Sequence, residues 1–247
     1  MWSRRSARHW PLIYARGGDR VVSGSRTGTR WWDVYGDENG WHGSHSDAPT
    51  LTGWIDEHLM TPHPDLGRDG AVCPFVQHSA SRNALWAGMA AGEATVDAMH
   101  AVIDDAIEVY GELVGESRAN TALITVFPGL TDCDRIDDVH RARKTDVVRR
   151  GWMLGQFYPG CTVPGLWNRQ FRPLDAPLPM LVLRPMMSTD FPFLVADSEW
   201  LYAYLTRLAP NLPRRLRWEI AERMRIAGPE AADITALRAH SPGEHAH

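Results

Sequence analysis

The chain is 247 residues long, 44% apolar and 23% charged, which suits one core of ordinary size and argues against wholesale disorder. Its formal net charge is −4, so nucleic acid is not an expected partner by bulk electrostatics, and no apolar run reaches the roughly 18 residues that a membrane span needs. Cys73, Cys133 and Cys161 are widely spaced, with no Cys-x-x-Cys pair. They make neither a disulfide framework nor a zinc knuckle, and a cytoplasmic setting is expected.

Residues 1–47 carry Arg, Gly and Ser without a lasting period, and no apolar segment follows the first arginines to make a secretory signal. They read as a poorly ordered arm or as sequence upstream of the true start. The functional alternative is an accessory arm whose Trp31, Trp32, Trp41, His42 and His45 fold over a ligand or a partner subunit, in a homodimer or a heteromeric contact. An α+β domain is expected over 48–228, and a weakly ordered tail over 229–247.

Periodicity begins near Thr50. Leu51, Trp54, Ile55, His58 and Leu59 follow helical spacing until Pro62 and Pro64 stop it. A turn-rich segment, PHPDLGRDGAVCPF, follows, and residues 83–90 suit a short strand. Residues 93–114 form the strongest helix, with Val96, Met99, Ile103, Ile107 and Tyr110 on one stripe. TALITVF over 121–127 reads as a buried strand, 134–150 as a helix, and 152–158 as a strand. Residues 179–187 make a further strand, kinked or at a sheet edge because of Pro185. Asp197 caps one helix and Pro213 opens the last. The fold expected is α+β: a single core, with a sheet of three or four strands packed with helices and a long Pro-rich loop.

Common nucleotide-binding, zinc-protease and hydrolase signatures are absent from the sequence. Cys73, set before a proline, is either a nucleophile or metal ligand, or an inert buried thiol. Tyr158, at a strand end, is either an acid/base, a haem ligand or substrate donor, or a residue packed at a turn. Asn168, Arg169 and Arg172 stand in the Pro-rich loop, where guanidinium groups hold a carboxylate or phosphate or pair with Asp175 or Asp190. His58 and His63 flank a helix end, within reach of Cys73. His140 and Lys144 share a helix face, so Lys144 is a second anion anchor if that face looks at the site.

The ordered blocks GRDGAVCPF, ITVFPGL, GWMLGQFYPG, PGLWNRQFRPL and PMLVLRPMMSTDFPFL, from about Trp54 to Leu208, carry a resemblance. They resemble an uncharacterised bacterial family, common in actinobacteria and often encoded near biosynthetic genes. More distantly, they are similar to the YqcI/YcgG family, which includes a haem protein that N-hydroxylates an arginine derivative. The resemblance implies a biosynthetic enzyme of secondary metabolism acting on a small polar metabolite such as an amino acid, with haem-dependent oxidation as one version. Cys73, His63 or Tyr158 would then be the axial ligand, and Arg169, Arg172, Arg184 and Lys144 would hold propionates or substrate. This chain has Tyr158 and Pro185 where the pattern has histidines, which puts the haem ligand in question. The alternatives are a cofactor-free enzyme using Tyr158 or Cys73 as acid/base or nucleophile, and a non-catalytic ligand-binding protein.

Overall fold

Alternating apolar residues run through each central segment and divide it between two faces, and the chain folds around that division. The computed structural model describes residues 20–36, 40–116 and 120–226. Among these, β1 (Val21–Ser23), β2 (Arg30–Asp33), β3 (Leu85–Met89), β4 (Ala122–Val126), β5 (Trp152–Phe157) and β6 (Met180–Pro185) form one mixed sheet in the order β1-β2-β3-β4-β6-β5. β3 and β4 are parallel, and the other pairs are antiparallel.

The sheet therefore has six strands rather than three or four. The two extra strands come from the segment read as an arm. They are only three and four residues long, too short for alternation to register. Trp31 is fully buried and donates from Nε1 to Thr125 Oγ1 on β4 at 3.1 Å. Its indole crosses Gly88 of β3, where a Cβ would sit 2.8 Å from the ring. Trp31, Trp32 and Trp41 are thus core residues. The expected arm before Arg20 and the expected tail 229–247 lie outside the described residues.

Helix α4 (Val96–Glu116) crosses from β3 to β4, and α5 (Asp134–Arg149) crosses from β4 to β5. Both lie on one face of the sheet, where Met99, Ile103, Tyr110, Ile136 and Val147 pack on Trp31, Leu123, Leu154 and Leu183. Wholly buried Asp105 of α4 accepts from the amides of Arg26 and Thr27 at 3.0 and 2.8 Å and from the Thr27 hydroxyl at 2.8 Å. That clamp fastens the β1–β2 hairpin to the helix.

The opposite face is covered by shorter pieces: α1 (Trp41–Ser44), α2 (Ala48–Trp54), a π-helical turn (Ile55–Leu59) and α3 (Pro74–Ala80). β6 is not an edge strand, because it lies between β4 and β5. Pro185 is tolerated there as the strand's last residue, opposite Trp152. The hairpin of α6 (Ser198–Leu208) and α7 (Arg214–Met224) completes the fold beside β5, with Asp197 capping α6 through the Glu199 amide at 2.7 Å. No helix among the described residues is long and apolar enough to cross a membrane.

Candidate functional site

Two irregular segments meet beyond the carboxyl end of β5, where sites of α/β sheets gather. One is the end of the α2 helix, which widens into the π-turn as the Met60 amide reaches back to the Ile55 carbonyl at 3.0 Å. π-turns recur at functional positions because they re-aim side chains. The other is the Pro-rich loop after Phe157, stiffened by its prolines and closed by the Gly165 amide on the Phe171 carbonyl at 2.9 Å. Asn168 Nδ2 ties the two together through the Asp65 carbonyl at 2.8 Å. Gly67 turns at φ +78°, and a Cβ there would sit 3.0 Å from the Trp167 backbone, so only glycine allows this approach.

Between these segments lies a cavity of about 610 Å³, whose lining includes Trp54, His58, His63, Phe171, Arg172 and Asp175. Its wall is a run of rings. Trp54 stacks on His58 with centroids 5.9 Å apart, His58 lies 6.2 Å from Phe171 and 5.8 Å from His63, and Phe171 lies 4.8 Å from His63.

The two histidines are in different hydrogen-bonding states. His63 Nδ1 accepts the Asp65 amide at 3.1 Å, capping a short 3-10 turn (Pro64–Leu66). With that nitrogen used as an acceptor, the neutral ring carries its proton on Nε2. His58 Nε2 is buried and has no hydrogen-bond partner among the described residues. Burial pushes the His58 pKa below the ordinary histidine value, His63 lowers it further, and Asp175 opposes both. The lowered pKa favours the neutral ring, and in the tautomer that leaves Nε2 bare this nitrogen can accept a proton.

Of the residues expected from sequence, His63 and Arg172 line this cavity, together with Asn168. The Arg172 guanidinium bonds through one nitrogen to the carbonyls of Arg169 and Phe171. Arg169 itself is exposed at the loop surface. Cys73 is the N-cap residue of α3 and donates its amide to the Leu59 carbonyl at 2.8 Å, but it is not part of the lining.

The remaining expected residues do not converge on the cavity. Arg184 is gripped by Asp190 through two bonds of 2.7 and 2.6 Å and lies over the Phe75 ring at 6.0 Å. The Tyr158 hydroxyl donates to Asp137 at 2.8 Å on the α5 side, and burial together with that bond raises its pKa. Lys144 donates to the Phe193 carbonyl at 3.2 Å and sits over Trp200 at 4.2 Å. His140 does share its helix face, yet that face looks at the Leu154 carbonyl, 3.0 Å from Nε2. No group of three or more His, Cys, Asp or Glu among the described residues is placed to hold a metal ion.

Sequence reasoning missed Trp54, Phe171 and the separation of roles between His58 and His63. The signal for Trp54 and His58 was their spacing of four on one helix face, which also describes a core stripe.

The fold and the cavity together define an α+β protein with a histidine-centred pocket at the end of a mixed sheet. The chain belongs to the family described as a domain of unknown function, DUF6875, which matches residues 48–219. No curated protein and no solved structure matches it.

Proposed function

We propose that the protein is an enzyme that acts on a small polar metabolite, of the size of an amino acid, by proton transfer in the cavity between His58 and His63. The observation that carries this reading is the buried, unpartnered Nε2 of His58. His58 takes a proton from the substrate as general base, and His63 donates a hydrogen bond from its own Nε2 to the oxygen on which charge develops. Well-placed groups of this kind contribute about 10²–10⁴-fold each to a rate. Asp175 lies close enough to raise the His58 pKa, so it stabilises the imidazolium once it forms.

The test is incubation of the full chain in D2O with the common amino acids and small hydroxy acids, read by NMR for exchange of carbon-bound protons. Exchange that disappears in His58→Gln supports the proposal. No exchange, or exchange that survives the substitution, contradicts it.

A haem-dependent version has one observation in its favour, since a buried imidazole nitrogen without a partner is also what an axial ligand presents. The resemblance to the YqcI/YcgG family points the same way, and the biosynthetic setting rests on resemblance alone. In that version His58 replaces Cys73 and Tyr158 as axial candidate. A Soret band on adding haemin, lost in His58→Gln, would favour it over the cofactor-free mechanism.

A further inference from the structure

We infer that the cavity takes a carboxylate attached to a planar ring, with Arg172 as the carboxylate subsite. The inference rests on the reading of this cavity as the substrate site and names the class of molecule it accepts.

Arg172 is a cation in the cavity wall that makes no ion pair among the described residues. Two carboxylates share the lining and neither pairs with it. Asp175 spends Oδ1 on the Gly160 amide at 2.8 Å, and Asp65 stands 4.0 Å from His63 Nδ1. Among the described residues, only one guanidinium nitrogen of Arg172 is engaged, by the carbonyls of Arg169 and Phe171. Guanidinium carries five N–H donors in a fixed fork, so Nε and the second terminal nitrogen keep the paired geometry that a carboxylate accepts. The bonds to the loop hold that fork in place before a ligand arrives, which lowers the entropy lost on binding.

The second half of the inference comes from the rings. Trp54, His58, Phe171 and His63 form a continuous wall, each within 6.2 Å of the next. A flat ligand meets such a wall by stacking, which a puckered ring of equal size does less well. Phe171 and Arg172 are neighbours in sequence, so the ring surface and the fork are set side by side by the same stretch of loop. A ligand spanning both places its ring beside the His58 imidazole.

Calorimetric titration of the full chain with benzoate, benzamide and cyclohexanecarboxylate tests the two halves separately. Benzoate should bind about tenfold or more tightly than benzamide, which lacks the charge, and more tightly than cyclohexanecarboxylate, which lacks the flat face. Arg172→Gln should erase the preference for benzoate over benzamide. Arg172→Lys keeps the charge, loses the fork and should fall between the two; a thermal melt checks that each variant folds. Equal affinity for benzoate and benzamide, or either variant binding benzoate like the unaltered protein, would overturn the inference. His58-dependent deuterium exchange alongside benzoate binding that ignores Arg172 would sink the subsite and leave proton transfer standing. Arg172-dependent binding with exchange indifferent to His58 would do the reverse.

Discussion

The two faces of the sheet are built differently. One is covered by α4 and α5, long helices whose apolar stripes lie on β3, β4, β5 and β6. The other is covered by short helices, a π-turn and a Pro-rich loop, and it holds the cavity with an unanswered imidazole nitrogen. A regular helix saturates its own backbone and packs a uniform stripe, so it has little freedom to aim a single side chain. Irregular backbone gives up that economy and gains control over direction, which is what a binding site requires. The contrast predicts that substitutions on the helical face act on stability, and those on the cavity face act on ligand and turnover.

The largest effect should come from Leu123→Ala. Leu123 is fully buried in the helical-face core, and such truncations cost about 2–5 kcal/mol. Chemical denaturation would show this as a lower midpoint, with ligand binding intact at temperatures where the protein is folded.

His58→Gln should behave oppositely, with turnover falling about 100-fold or more and stability changing by less than about 1 kcal/mol. Because the His58 pKa is lowered, the acid limb of the rate profile should lie below pH 6.5, the ordinary histidine value. A limb at or above that value would break the assignment of His58 as base.

His140, on the helical face, should make stability depend on pH. Burial holds its pKa at about 4, with Lys144 adding to the shift, against 6.5 unfolded. Between those values the unfolded chain binds more protons, so stability should be lost as pH falls from 6.5 towards 4. The loss should be on the order of 2 kcal/mol and should vanish in His140→Gln, as denaturation at several pH values would show.

The smallest effect should be that of Tyr158→Phe, which removes one hydrogen bond to Asp137 and costs about 1 kcal/mol. Turnover should persist, because the hydroxyl faces α5 and not the cavity.

Much of the helical face was legible in the sequence. Met99, Ile103, Ile107 and Tyr110 recur at helical spacing and are buried as that spacing requires. β1 and β2 were not legible, because a hairpin with strands this short shows no period and is held by Asp105, far away in the chain. On the cavity face, the residue types of His63 and Arg172 were visible, but their partners were not. Tyr158 illustrates the difficulty. Successive strand residues point to opposite faces, and here Phe157 turns towards Trp54 while Tyr158 turns towards Asp137. A strand end marks where a site sits without saying which of two adjacent side chains enters it. His58 sits in the π-turn, which no residue pattern announces.

Whether His58 is a neutral base is read by an NMR pH titration of its ring in isotope-labelled protein, with assignment through His58→Gln. The midpoint should fall below 6.5, and above it Nε2 should be unprotonated, with a signal that shifts when benzoate binds. A midpoint at or above 6.5, or a proton on Nε2 throughout the neutral range, would contradict a neutral base at His58.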